Sequence, residues 1–172
     1  MVITISQLFF LMMQGLSFAV SILVSNAFGR KDLGSVREYA RKGYFMTLGI
    51  SATLSVLLYC FRYQAAGIFT DSPEVSAMAV SLFFLLFAYQ FGDGLQLCFA
   101  NVLRGIQDVK PIMYAAFVSY YLIAIPSAYL LGFKTSLGIH GIWLGFPIGL
   151  TLAGIFFYAR YRSDLRRFGR MM

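Results

Sequence analysis

The chain has 172 residues, of which 59% are hydrophobic and 12% charged, and its mean hydropathy is +0.74. A soluble domain of this length carries about 25% charged residues, so the composition excludes an ordinary water-soluble globule and indicates lipid as the solvent. The formal net charge is +7, but the basic residues lie between apolar runs without an aromatic-interleaved stripe, so no nucleic-acid partner is expected.

Five apolar runs follow one another along the chain, each close to the roughly 20 residues that a membrane-spanning helix needs. They cover about residues 5–28, 43–61, 75–103, 111–133 and 138–161. The runs are continuous rather than alternating, which favours helices over a β-barrel. The sequence therefore predicts an all-α, polytopic membrane bundle of five transmembrane helices.

The basic residues indicate an orientation for this bundle. Twelve of the 14 lysines and arginines lie in the connectors after the first and third spans and in the tail after the fifth, whereas the other connectors hold only Arg62 and Lys134. Basic connectors stay in the cytoplasm, so we expect the N-terminus outside and the C-terminus inside. A chain that starts outside suggests a further span upstream, and we expect it to be part of a longer protein.

The first basic connector has an amphipathic pattern. Val36, Tyr39 and Ala40 fall on one helical face and Arg37 on another, which predicts a short helix lying in the membrane interface. Asp32 is positioned to cap its start. A solvated basic loop is the alternative interpretation.

Spans four and five carry packing signals. Pro126 and Pro147 lie inside them, and each removes a backbone hydrogen bond and should kink its helix. Small residues that recur at every fourth position of span five predict a ridge for close contact with another helix. These residues are Gly141, Gly145, Gly149 and Ala153.

Asp93 is the only one of the seven acidic residues that falls within a predicted span. A carboxylate at this depth costs about 2.5–3.5 kcal/mol on insertion scales, a cost that is reduced when it binds a cation or takes a proton. Tyr89 at i−4 and Gln96 at i+3 share its helical face, with Gln90 at i−3 nearby, and their oxygens suit a hard cation. Asp93 and Tyr89 are thus candidates for cation or proton coupling, and Gln96 and Gln90 for lining a cavity. A structural hydrogen bond between helices is the alternative.

Gly92 and Gly94 flank the acid and are expected to leave room around it. The sequence contains no Walker A motif, no paired Cys/His ligand set and no Ser/His/Asp arrangement. We therefore expect neither an enzyme nor a cofactor, and no metal beyond a sodium ion at Asp93.

Three segments, in order, resemble the multidrug and toxic compound extrusion family. They are Val24–Tyr44 (VSNAFGRKDLGSVREYARKGY), Leu103–Pro111 (LRGIQDVKP) and Gly138–Gly149 (GIHGIWLGFPIG). Members of this family have twelve helices in two six-helix lobes around a central cavity. The resemblance implies that residues 1–172 are helices eight to twelve, a partial C-terminal lobe whose partners are the missing N-terminal lobe and seventh helix.

The resemblance also implies a function. Family members export amphipathic, often cationic small molecules in exchange for sodium ions or protons. They do so across the plasma membrane, which is the inner membrane of bacteria. One bacterial branch carries a Tyr and an Asp four residues apart in its tenth helix, and Tyr89 and Asp93 match that spacing. The branch's partner Glu belongs to the seventh helix, so the resemblance implies that Asp93 is half of a site.

Two alternatives stay open. A lipid-linked oligosaccharide flippase of the same broader superfamily would be expected to place basic residues inside its spans to hold phosphates. A truncated membrane fragment would have no transport activity of its own.

Overall fold

The computed structural model describes residues 2–61 and 73–170, with the side chains of residues 7, 10–61, 85 and 88–170. Within these residues it contains five long helices and no strand: α1 (Val2–Gly29), α2 (Leu33–Cys60), α3 (Pro73–Gly105), α4 (Lys110–Phe133) and α5 (Ile139–Phe168). In α4 the segment Val118–Ala124 is a π-helix between two α-helical parts. The predicted all-α bundle of five helices is confirmed.

Four segments of the described chain are long and apolar enough to cross a membrane: Phe10–Gly29, Leu33–Cys60, Lys110–Phe133 and Ile139–Phe168. Large apolar side chains project outward from them, among them Phe45 of α2 (63% exposed) and Phe133 of α4 (71% exposed). Side chains of this kind require hydrocarbon around them. The described chain is therefore a multi-pass membrane protein.

Helix α3 lies at the centre of the bundle, in contact with α1, α2 and α5, while α4 packs mainly on α5. The apolar core surrounds the second half of α3, where Val24 of α1, Val36 of α2, Leu103 of α3 and Phe157 of α5 are buried. The α1–α2 turn, the α3–α4 turn and the end of α5 meet at one end of the bundle, which we call the basic end. There the rings of Phe28 and Phe168 are 5.0 Å apart.

The two turns at the basic end have the same backbone hydrogen-bond pattern and a similar positive φ. After α1, Lys31 has a φ of 60° and its N–H donates to the Phe28 carbonyl, while the Asp32 N–H donates to Ala27. After α3, Gln107 has a φ of 64° and the hydrogen bonds follow the same pattern. Both are Schellman-type ends with a side-chain-bearing residue in the left-handed region. Each turn thereby ends its helix and satisfies carbonyl groups of the last helical turn.

The first basic connector differs from its prediction as a separate interfacial helix. It forms the first turns of α2, which runs without a break from Leu33 to Cys60. Asp32 caps this helix as predicted, accepting a hydrogen bond from the Ser35 N–H at 3.0 Å. Val36 and Ala40 are buried on the predicted apolar face, because α1 and α3 cover that face of α2 and thereby make it part of the core.

The glycine ridge of α5 packs against α4 as predicted. A Cβ atom added at Gly145 would lie 2.5 Å from Ala128 Cβ, and one added at Gly149 would lie 2.5 Å from Ala124 Cβ. Helix α4 continues through Pro126. The turns that precede this proline have π-helical instead of α-helical hydrogen bonding. Likewise α5 continues through the buried Pro147.

Candidate functional site

Asp93 lies well inside α3 and is only 4% exposed. The two glycines beside it do not leave open space, contrary to expectation. A Cβ atom added at Gly92 would lie 2.6 Å from Thr151 Oγ1 of α5, and one added at Gly94 would lie 3.2 Å from Thr47 Cγ2 of α2. The glycines therefore let α5 and α2 approach α3 closely in the turn that carries Asp93.

The predicted polar face of α3 is largely buried. Gln90 is 1% exposed, and Tyr89 and Gln96 are half-buried. Residues three and four positions apart lie side by side on a helix, so Tyr89, Asp93 and Gln96 form one continuous polar strip along α3.

Tyr120, in the π segment of α4, completes this site and was not predicted from the sequence. Its phenol lies close enough to Asp93, Tyr89 and Gln96 to interact with all three side chains. The α5 ridge makes this possible, because an atom added at Gly149 would lie 3.6 Å from the Tyr120 ring. The ridge indicated a close partner for α5, but no sequence signal specified which α4 side chain would reach α3.

Several polar atoms around Asp93 are buried without a hydrogen-bond partner among the described residues. They are Asp93 Oδ2, both amide atoms of Gln90 and Gln96 Oε1. Each such group costs about 1–3 kcal/mol unless it is satisfied. An ion, a proton or a polar ligand would satisfy them.

The chemistry of this donor set favours a monovalent hard cation or a proton. In the described ranges no three His, Cys, Asp or Glu side chains converge, so the groups that accompany Asp93 on α3 are a phenol and two amides. Oxygen donors of this kind suit hard cations, and a single carboxylate balances one positive charge.

A second charged cluster lies at the basic end, away from this site. Arg160 Nε of α5 is 2.6 Å from Asp108 Oδ2 in the α3–α4 turn, and its Nη2 is 3.3 Å from Asp164 Oδ1. Burial acts to raise the pKa of Asp108, but hydrogen bonds with Arg160 and Asp164 outweigh burial and hold the pKa below its usual range. The sequence interpretation placed Asp164 outside the predicted spans, although the i, i+4 spacing from Arg160 was a signal for this pair.

Comparisons with known proteins agree on one family. The MatE family model matches residues 1–130. The chain is 35% identical over 162 residues to the multidrug resistance protein NorM of Aliivibrio fischeri, and 34% identical over 162 residues to the multidrug resistance protein MdtK of Photorhabdus laumondii. These alignments cover 92% and 90% of this chain and 35% of each relative, so the chain spans about a third of their length.

Solved structures show the same fold. An inward-facing multidrug resistance MATE family transporter of the MOP superfamily superposes with a TM-score of 0.89 at 17% identity, covering 98% of this chain and 39% of that one. The eukaryotic MATE transporter AtDTX14 superposes with a TM-score of 0.86 at 21% identity, covering 99% of this chain and 40% of that one. The five-helix arrangement is therefore shared with part of each of these larger proteins.

Proposed function

Since the chain belongs to the multidrug and toxic compound extrusion (MATE) family, we propose that it is part of the C-terminal lobe of a multidrug efflux transporter that exchanges its substrates for sodium ions or protons. Family members are transporters, and the relatives in the comparison carry the name multidrug resistance protein. By the resemblance to helices eight to twelve, the N-terminal lobe and the seventh helix would complete the central cavity. The expected substrates are amphipathic, cationic small molecules.

The observation that supports this function best is the buried carboxyl of Asp93, one oxygen of which has no hydrogen-bond partner within the described chain. In this proposal Asp93 is the coupling carboxyl and Tyr89 a cation or hydrogen-bond ligand. Gln96 and Gln90 line the cavity beside them. The cation and the drug would occupy a cavity that opens alternately to each side of the membrane.

Drug efflux by the full-length protein with Asp93→Asn, measured under imposed sodium and pH gradients, tests this role. Asparagine keeps the size of the side chain but neither carries a charge nor takes up a proton. Gradient-driven efflux should therefore fall about 5- to 150-fold, which corresponds to a coupling free energy of about 1–3 kcal/mol. Tyr89→Phe, which removes only a hydroxyl, should reduce efflux less.

Asp32→Asn is the matched control, because it makes the same chemical change at an exposed helix cap. Asparagine caps helices about as well as aspartate, so this variant should retain full efflux. Undiminished efflux by Asp93→Asn under both gradients, at equal membrane levels of protein, would remove Asp93 from the mechanism.

A further inference from the structure

An open groove lies between the first turns of α2 and the last turns of α5, with α3 as its floor. One hollow of about 480 Å³ and a second of about 380 Å³ adjoin each other, because Arg37, Tyr158 and Tyr161 line both of them. Two arginines from each wall and an aromatic floor line this arginine groove: Arg37, Arg41, Arg162, Arg166, Phe99 and Tyr161.

The positive charges of the groove arginines are not neutralised by acidic side chains of the described chain. None of its four arginines forms an ion pair in the parts of the chain that the structure describes. Two acids on the same helices form ion pairs with other residues, Glu38 with Lys42 at 2.5 Å and Asp164 with Arg160 at 3.3 Å. Four positive charges around one depression produce a field that attracts an anion.

The floor of the groove is aromatic. The ring of Phe99 lies 5.0 Å from Tyr158 and 5.5 Å from both Tyr44 and Tyr161. Tyr161 is 5% exposed, and its hydroxyl has no hydrogen-bond partner within the described residues although it lies in the field of Arg37. A polar atom that lacks a partner is thus placed beneath the arginines, next to an apolar wall.

The groove also changes character along the helix axis. Phe45 lines the groove eight residues after Arg37 on α2. At a rise of 1.5 Å per residue, the two positions are about 12 Å apart along the helix axis. Over this distance the lining passes from guanidinium groups to exposed aromatic rings. A matching ligand therefore has an anionic head and an apolar body.

The groove is separate from the candidate coupling site. Leu95, which lines it, follows Asp93 by two residues and so points about 200° around α3 from it. An occupant of the groove would lie on the opposite face of α3 from Asp93. Binding in the groove therefore does not depend on the proposed transport function.

We propose that the arginine groove binds an anionic glycerophospholipid, with its phosphate held by Arg37 and Arg41 of α2 and Arg162 and Arg166 of α5. Guanidinium groups bind phosphate oxygens in a planar, bidentate geometry. The acyl chains lie along Phe45 and Phe99 toward the hydrocarbon. Basic pockets between membrane helices bind the head groups of anionic lipids in the same manner, whereas the choline cation of phosphatidylcholine would be repelled here.

The test measures lipid retention by the purified, delipidated full-length protein with native mass spectrometry. Phosphatidylglycerol should be retained in preference to phosphatidylcholine with the same acyl chains. The Arg37→Gln/Arg41→Gln variant should weaken retention of phosphatidylglycerol about 30-fold, because each arginine near the surface contributes a roughly five-fold preference. The Arg162→Gln/Arg166→Gln variant changes the other wall and tests the same site if the first variant does not fold.

The matched control is Arg30→Gln/Lys110→Gln, which removes the same charge from exposed positions at the same end of the bundle, outside the groove and the hollow next to it. It should retain phosphatidylglycerol like the parent protein. Equal losses of phosphatidylglycerol retention in the control and in the groove variants would mean that the lipid is attracted by the overall positive charge of this end. This result would overturn the proposal. Competition by inorganic phosphate or glycerol phosphate as strong as that by the intact lipid would overturn the assignment of a lipid.

Discussion

Arg160 connects two carboxyl groups that belong to different parts of the chain. Its guanidinium contacts Asp108 in the α3–α4 turn and Asp164 one turn further along α5. Asp164 is 3% exposed, and a carboxyl group at this burial is tolerated because the guanidinium supplies the opposite charge. This contact fixes the α3–α4 turn on the last turns of α5.

Arg160→Gln should lower the thermal stability of the purified protein. Glutamine cannot replace the charge that both carboxyl groups face, and we expect a loss of about 1–3 kcal/mol, measured as a lower melting temperature in detergent. Arg170→Gln, an exposed arginine at the same end, should melt like the parent protein. Equal melting temperatures for the two variants would show that the contact does not stabilise the turn.

Helix α5 is the element that brings the candidate site together. Its glycine ridge faces α4, and Gly154 lies against Leu95 and Gln96 of α3. Small residues let membrane helices approach until their backbones are in contact. Because α4 has few contacts with the rest of the bundle, its position beside Asp93 depends on this ridge.

Gly145→Ala should separate α4 from α5. The added methyl group would meet Ala128 Cβ at 2.5 Å and the Ala124 carbonyl at 3.0 Å, and overpacking of this kind costs about 1–3 kcal/mol. The readout is the melting temperature in detergent. Gly49→Ala of α2 makes the same change where nothing lies within 4 Å, so it should cause no loss. If Gly145→Ala melted like Gly49→Ala, the close packing of the ridge would not be stabilising.

Across the whole molecule, charge is distributed unevenly between the two ends. The α1–α2 turn with the first turns of α2, the α3–α4 turn with the residues on either side of it, and the end of α5 together carry most of the basic residues. The structure brings them to one end of the bundle. The positive-inside rule predicts that this end faces the cytoplasm. Cys60, at the end of α2, is exposed at the opposite end of that helix.

A membrane-impermeant maleimide should label Cys60 on intact cells. The second cysteine, Cys98, is buried and serves as an internal control that should stay unlabelled. In a Cys60→Ser background, Ser163→Cys, an exposed position at the basic end, should react only after permeabilisation. The reverse labelling pattern would invert the predicted orientation.

The sequence by itself determined the fold class, the helix number and the family. Every residue of a span must be compatible with the hydrocarbon of the bilayer. A run of about 20 apolar residues is therefore a local signal that is sufficient to predict a membrane-spanning helix. The capping role of Asp32, the packing of the Gly141–Ala153 ridge and the burial of Asp93 were predictable for the same reason, since each follows from neighbours within a few turns of one helix.

Only the tertiary structure decided which side chains meet. Tyr120 reaches the face of Asp93 because α4 packs on α5 at Gly149, and the four arginines of the groove come together from α2 and α5. The glycines beside Asp93, expected to leave room, instead admit α2 and α5. Contacts of this kind join residues that are far apart in the chain, and their geometry depends on how whole helices pack, which no local pattern in the sequence specifies.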